Sequence, residues 1–497
     1  MIQFPAWSDL GLGHLSADTH NTWEQELQRA QRYWWYYQGL VFDEKVQDDE
    51  IPFEEAPLLF PVGVNLVKML CVAHADATYG EYDELPLSFN PRSDRQVSEA
   101  DKAASTLAAS ILLESNAASL LWELELERQV FGGGALKISP SLSASSHIRW
   151  GRIPKGSFYP IWDPSDPDVL LEAYVITRMT REQAKAKYNF EVSHSQPYVD
   201  RIEHWTRARY ETYFNGHQDN KRSGVNTFGI VPFVYIPRFR LGNWWGDALT
   251  GDVTSAQDEL NMRLGDMGEA INYNAHPIRW GLNLPAGFDA EHFPLGPNAM
   301  WDLGRALGNS PVPEVGMLEI ENPIPRGSFE YLEFLYDWTR SSTFAPPIAF
   351  GEDSGGGQRS GATLEIRLWP LIKSIRRGRS YLNTGLRKAL YISGRILQQK
   401  GFDGVPARAV QSILQGHLTP HFHSILPRDQ SAAVDEVVKL LSTDPPSISL
   451  ESAQSVLGRG IGEVDRIIAM LADEALWKRL KQAVDDQGTE EPNPDDS

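Results

Sequence analysis

The feature that most constrains the fold is a reversal of charge between Gly351 and Lys400. The whole chain carries a net charge of −20 at pH 7, yet the segment that follows Gly361 contains Glu365 as its single acid. The pattern predicts one long helix over residues 361–400, kinked at Pro370 because proline removes an internal hydrogen bond. Its basic residues are Arg367, Lys373, Arg376, Arg377, Arg379, Arg387, Lys388, Arg395 and Lys400.

A charge reversal of this strength needs a counter-ion. A neighbouring subunit or a polyanion such as nucleic acid would supply it. If this segment is considered alone, the alternative to an anionic partner is a basic helix face that is exposed to solvent. A glycine-rich loop precedes the helix, and its residues are Gly351, Glu352, Asp353, Ser354, Gly355, Gly356, Gly357, Gln358, Arg359 and Ser360.

Composition limits the classes of protein to which the chain can belong. Its 497 residues suffice for about three domains. No apolar run reaches the roughly 18 residues of a membrane span, and the start lacks the pattern of a secretory signal. With one cysteine, Cys71, no intrachain disulfide can form. The sequence pI of about 5.1 argues against a surface coated with nucleic acid, so any such contact is expected to be local.

The order of predicted elements indicates an α+β protein that is mainly helical. Four helices are predicted before the basic one, over residues 21–37, 98–130, 247–274 and 328–340. Strands are predicted over residues 135–138, 171–176, 202–206, 210–214 and 228–236, the last at a sheet edge because it contains Pro232. The three glycines at 132–134 predict the end of the helix over residues 98–130. Three short helices are predicted over 431–441, 449–457 and 463–483, followed by a disordered acidic tail over 485–497.

Signatures of catalysis are absent from the sequence. It has no Gly-x-x-x-x-Gly-Lys-Ser/Thr loop, no His-Glu-x-x-His pair, no cysteine pair and no Gly-x-Ser-x-Gly elbow. His417, His421 and His423 lie at alternate positions, which share one face of a strand. Without a carboxylate at a fixed spacing, such histidines are more typical of a structural role. We therefore expect no catalytic residue, no cofactor and no metal site.

Several segments follow one another in a distinctive order and spacing from residue 228 onward. They are residues 228–236, 246–249 with 256–264, 275–278, 360–364 with Pro370-Leu371, and 425–429 with 448–452. In this order they resemble parts of a tailed-bacteriophage portal protein: the strand before the stem, the first stem helix, the exit into the clip, the helix behind the tunnel loop and the passage into the crown. The resemblance covers most of the chain, from about residue 23 to residue 480.

The resemblance implies a portal-type ring subunit, usually present in twelve copies around an axial channel. It assigns residues 1–245 to the wing, 246–275 to the first stem helix, 276–326 to the clip and 327–343 to the second stem helix. It assigns 344–360 to the tunnel loop, 361–427 to the long kinked helix with its return to the wing, and 428–484 to the crown.

The function implied by the resemblance is a ring at the unique capsid vertex, through which genomic DNA is packaged and ejected. The implied partners are further copies of the chain, double-stranded DNA bound without sequence specificity, the terminase, head-completion or adaptor proteins, and capsid and scaffolding proteins. The implied location is the virion, after assembly in the host cytoplasm, with no membrane partner. A separate terminase ATPase would supply the energy of packaging.

On this interpretation the acidic helix lines the passage, because phosphates held by many basic groups would obstruct sliding. The candidate acids are Asp258, Glu259, Asp266 and Glu269. They cannot all face one side of a helix, so we expect a subset to line the channel. Most basic residues of the 361–400 helix are expected to face acids on an adjacent subunit, and the others the channel. The loop is expected to form the constriction, with Gln358 and Arg359 contacting DNA.

Two other classes of function stay open from the sequence. One is a different virion structural protein, such as a capsid or head-to-tail connector component. The other is a DNA-processing enzyme whose site matches no familiar motif.

Overall fold

The computed structural model describes residues 17–40, 64–80, 82, 84–92, 94, 96–191, 197–275, 279–284, 311–317, 326–352 and 361–425. These residues form a mixed α/β fold, and about half of them are helical. The described helices are α1 (Ala17–Gln38), α2 (Leu66–Tyr79), α3 (Glu99–Glu114), α4 (Ala117–Phe131), α5 (Arg181–Tyr188), α6 (Leu249–Ala275), α7 (Arg326–Ser342), α8 (Gly361–Lys400) and α9 (Ala407–Leu414).

The described strands pair antiparallel in four sheets. They are β1 (Leu87–Pro91), β2 (Gly133–Pro140), β3 (Ile148–Ile153), β4 (Phe158–Asp163), β5 (Asp166–Thr180), β6 (Tyr198–Trp205), β7 (Arg209–Phe214), β8 (His217–Gln218), β9 (Gly224–Val225), β10 (Phe233–Pro237), β11 (Arg279–Leu282), β12 (Glu314–Met317) and β13 (Leu418–Phe422). The largest sheet has the order β4-β5-β6-β7-β8, with β9 also paired to β7. The order β10-β2-β3 forms a second sheet, and β1-β13 and β11-β12 are two-stranded.

The strand predictions are confirmed, with changed boundaries. β10 lies at the edge of its sheet, as its preceding proline predicts. It begins at Phe233 and not at Phe228, because the chain first makes a turn. In that turn the Asn226 side chain donates to the carbonyls of Thr206 and Ile230, and Gly229 has a φ of 68°.

The prediction of a single helix over residues 98–130 is wrong. The chain breaks at Asn116, whose φ of 52° is left-handed, and continues as α4. Sequence reasoning missed this break because neither glycine nor proline marks it. The predicted starting residue and stop are both correct: Ser98 caps α3 through the Asp101 amide, and Gly132 ends α4 with a φ of 90°.

The other helix predictions within the described residues are confirmed to within a few positions, and α8 spans the predicted 361–400. Its 40 residues give a length of about 60 Å. Pro370 lies inside the helix, and a kink at this point stays a prediction. The three short helices after residue 430 and the acidic tail lie outside the described residues, as does most of the predicted clip.

The chain divides into two compact units. The first consists of Met1–Trp34, Lys68–Asp252 and Thr343–Ser497. The second consists of Trp35–Val67 and Val253–Ser342. The division at Asp252 falls within α6, so this helix contributes residues to both units.

The main core of the first unit fixes one face of α8. Leu382, Leu386 and Leu390 of that helix are buried in a cluster that includes residues of α3, α4, β2 and β10. At Gly385 a Cβ atom would lie 2.5 Å from Ile236, so the absence of a side chain lets β10 approach the helix closely. The opposite face of α8 is consequently left on the surface of the chain.

The described part of the second unit is organised around Gln257 of α6. Its side-chain oxygen accepts from the amide of Leu66 at 2.9 Å, and its side-chain nitrogen donates to the carbonyl of Val64 at 2.6 Å. Asn65 in turn donates to the carbonyl of Tyr37 at the end of α1. These bonds hold the connection before α2 against α6.

Candidate functional site

The described end of the glycine-rich loop begins with a turn that requires glycine. A short 3₁₀ helix, Pro347–Phe350, ends at Gly351, whose φ of 78° is left-handed and whose amide donates to the carbonyl of Ile348. No atom lies within 4 Å of a Cβ built on Gly351, so backbone conformation and not space explains this glycine. Glu352 is exposed. The remaining predicted loop residues, 353–360, lie outside the described residues.

The solvent face of α8 carries a row of cations, here called the basic stripe: Lys373, Arg376, Arg377 and Arg387. At 100° per residue these positions fall within one narrow sector of the helix. In the part of the chain that the structure describes, none of the four makes an ion pair. Lys373 and Arg376 lie over the ring of Trp369, 5.2 and 5.7 Å from its centroid. The basic stripe therefore begins at an aromatic side chain that is itself exposed.

Arg379 does not belong to this stripe, although the sequence grouped it there. Its guanidinium donates to the carbonyls of Thr78 and His423, both at 2.8 Å, and lies over Phe422. Burial lowers the pKa of Arg379 to about 10. The side chain is a structural tie within the first unit, so it is withdrawn from the candidate interface.

Two other basic residues of α8 are also engaged within the chain. Lys388 donates to the carbonyl of Asp168 at 3.0 Å, and Arg395 reaches the carbonyl of Phe228 at 3.4 Å. Arg367 is exposed. The structure thus divides the predicted basic residues into a surface stripe and a set of internal ties.

The four candidate acids of α6 differ in their surroundings. Asp258 accepts a hydrogen bond from the Tyr36 hydroxyl at 2.6 Å and is half-buried. Glu259 and Asp266 accept from opposite ends of the Arg263 guanidinium, at 2.8 and 2.9 Å. Glu269, also half-buried, is one turn further along the helix.

These contacts moderate the acidic character predicted for α6. Exposed ion pairs of this kind contribute little to stability, but they reduce the charge presented to solvent. Arg263 partly neutralises Glu259 and Asp266, so this sector of α6 contains one cation among its acids. Asp258 points toward α1 and not into that sector.

Helix α7 presents a surface to which the sequence analysis assigned no role. Tyr331, Phe334 and Trp338 are 42%, 59% and 50% exposed, and their spacing places them on one side of the helix. These three residues are here called the aromatic face. Two exposed acids of the same helix, Glu330 and Glu333, lie about 40° and 100° around it from Phe334. The sequence shows that aromatic and acidic residues are interspersed along this helix. It does not show which side of the helix packs inward, so the exposed aromatic face could not be predicted from it.

A buried ion pair links α4 to the long basic helix. Arg128 and Glu125 are 0% and 1% exposed, and the Arg128 guanidinium donates to the Glu125 carboxylate. It also donates to the carbonyls of Pro237 and Gly378, at 3.0 and 3.1 Å. Burial of both charges is tolerated because these carbonyls complete the hydrogen bonding of the guanidinium. The pair therefore holds the exposed stripe of α8 at a defined position in the first unit.

The three histidines do not converge. His417 lies 3.0 Å from the Asp101 carboxylate, whereas His423 lies 3.0 Å from the carbonyl of Leu85. Burial opposes the charged form of Asp101, but hydrogen bonds from Ser412, Ser98 and His417 hold its pKa well below the usual range. His421 is exposed. Within the described ranges, no group of three or more His, Cys, Asp or Glu side chains is arranged to hold a metal ion.

Among the described residues, no single helix is long and apolar enough to cross a membrane, and only the bent pair α3 and α4 passes by length and composition together. A scan against protein-family models finds no match to this chain. A search of curated proteins likewise finds no significant match.

Proposed function

We propose that this chain is the subunit of a portal ring at a single capsid vertex of a tailed bacteriophage, through which double-stranded DNA enters and leaves. The proposal rests on the order of segments that resembles portal proteins. The observation that carries it furthest is the basic stripe of α8, four exposed cations without an ion pair in the described part of the chain. In a chain of net charge −20, such a stripe calls for an anionic partner.

A ring of identical copies meets this requirement. Each copy carries an excess of acid elsewhere, so a neighbour can supply the counter-charge for the stripe. Twelve copies, the usual number in the resembling family, would carry twelve times the −20 of one chain, so local complementarity at the contacts must offset the overall repulsion.

The proposed channel lining is the exposed sector of α6, namely Glu259, Arg263, Asp266 and the neighbouring Glu269. These residues are three acids and one cation, so phosphates find no continuous row of cations to bind and DNA is not held tightly. Asp258 is excluded from the lining because Tyr36 holds it against α1. Gln358 and Arg359 of the loop remain the proposed DNA contacts at the constriction.

The remaining roles follow from the resemblance. The region between α6 and α7 would dock the terminase during packaging and head-completion proteins afterwards. The chain would contribute no catalytic residue, because the terminase supplies the chemical energy.

Labelling of intact particles tests the proposal. Particles assembled with an epitope-tagged copy of the chain should bind gold-labelled antibody at one vertex only. Label spread over the shell would identify the chain as a capsid component. Label on the tail side of a portal ring that is made of a different, untagged protein would identify the chain as a connector. Metal-dependent cleavage of DNA by the purified chain, lost on substitution of a single carboxylate, would instead support the DNA-processing enzyme.

A further inference from the structure

Two exposed surfaces of this chain have complementary chemistry. One is the aromatic face of α7, a helix that also carries the exposed acids Glu330 and Glu333, with Glu330 the nearer of the two to that face. The other is the amino-terminal half of the exposed side of α8, where Ile366 is 75% and Trp369 is 41% exposed and the basic stripe begins. Each combines large apolar side chains with charge, and the two charges are opposite in sign.

The difference in charge extends beyond these few residues. The described residues of the second unit, to which α7 belongs, carry eight carboxylates and four basic side chains, a net of −4. Helix α8 carries nine basic side chains and one acid, a net of +8. The named residues of both surfaces are exposed among the residues that the structure describes.

We infer that the aromatic face of α7 in one copy docks on the Ile366–Trp369 end of α8 in a second copy. The occupant is another copy of this chain because one sequence supplies both members of a complementary pair. The inference rests on the proposed function and specifies the contact that builds the ring.

The sizes of the two surfaces agree. Residues 330–338 of α7 extend about 12 Å along the helix, and residues 366–377 of α8 extend about 17 Å. Covering the exposed halves of Tyr331, Phe334, Trp338 and Trp369 removes on the order of 400 Å² of aromatic surface from water. Lys373 and Arg376 already lie over Trp369, so the cations are held beside the apolar contact and can meet the glutamates at its edge.

The contact joins two different surfaces, so it can repeat from copy to copy in one direction. Repeated copies then generate a closed ring when the rotation between neighbours closes, whereas two copies that exchange the contact reciprocally stop at a dimer. On the proposed function the contact repeats, and each copy uses its α7 toward one neighbour and its α8 toward the other.

Charge reversal in the full-length chain tests the inference. Glu330→Lys with Glu333→Lys, and separately Lys373→Glu with Arg376→Glu, should each lower the assembled fraction by about tenfold or more, because like charges then meet across the contact. The chain that carries all four substitutions should regain wild-type assembly, since the two reversed faces again complement one another. Assembly is measured by sedimentation velocity at one fixed salt concentration.

Matched controls lie on the short helix α5 and just after it, at Glu191. Lys185→Glu with Lys187→Glu, and Glu182→Lys with Glu191→Lys, change the net charge by the same amounts at exposed positions and should leave assembly unchanged. If the wild-type chain forms rings and either α7 or α8 reversal leaves them intact, the inferred contact is overturned while the portal proposal stands. If both charge reversals abolish assembly and the chain that carries all four substitutions does not restore it, the two faces are not partners. A wild-type chain that never self-associates overturns both.

Discussion

The buried ion pair of α4, whose arginine also donates to α8, gives a sharp test of how the basic helix is held. Arg128→Met removes a guanidinium that donates to Glu125, Pro237 and Gly378, and methionine fills much of the same volume. Glu125, which is 1% exposed, then keeps a buried charge without its cation. Breaking a buried ion pair by removing one partner costs about 3–5 kcal/mol, and we expect a loss of stability in this range.

The assay is urea denaturation followed by circular dichroism. Arg149→Met is the control, because Arg149 is exposed on β3, and it should change the free energy of unfolding by less than about 0.5 kcal/mol. Combining Arg128→Met with Glu125→Gln should recover part of the loss, since no uncompensated charge is left buried.

A deficit no larger than that of Arg149→Met at pH 7 would refute the anchoring role of the pair.

Three further results are expected. Burial opposes ionisation of Glu203, but Lys137 and Arg201 lower its pKa to about 2. The contribution of this carboxylate to folding stability, at most about 3 kcal/mol, is therefore present above pH 4.5 and lost as pH falls toward 2. Glu203→Gln should remove that pH dependence from the free energy of unfolding. Gly385→Ala should destabilise the chain by about 1–3 kcal/mol, because the added Cβ would meet Ile236. In the same helix, the Cβ of Gly378→Ala meets nothing within 4 Å, so this variant should stabilise the chain by up to about 1 kcal/mol. Thermal melts in which both variants behave alike would contradict the close packing of β10 on α8 at Gly385. Deleting residues 355–357 should leave assembly intact and impair packaging or retention of DNA, and normally filled particles would count against the loop assignment.

Sequence pattern predicted the long helices α1, α6, α7 and α8 and the strands β2, β5, β6, β7 and β10, because their signals are local. It missed α2, α5, α9 and most of the other strands. Helix α8 was predicted from its long run of basic residues, and β10 was placed at a sheet edge by Pro232. The break at Asn116 was missed because its causes are distant: the carboxylate of Glu114 accepts from Ser145 and Ser146, and the Ser115 hydroxyl accepts from the amide of Trp150.

The candidate surfaces were predicted less completely for a physical reason. Net charge identified α8 as unusual, but only packing separates Arg379, which ties the helix to Thr78, from Lys373 and its neighbours on the surface. A buried pair such as Glu125 and Arg128 has the same composition as an exposed one. Which side of an aromatic helix stays in water depends on contacts far away in sequence, so the aromatic face of α7 required the structure.

Electron microscopy of the purified full-length chain tests the central claim most directly. Class averages should show rings of uniform subunit number with rotational symmetry and an open axial hole that admits duplex DNA. Particles of a single 55.8 kDa chain at every protein and salt concentration, or flat sheets without an axis, would contradict it.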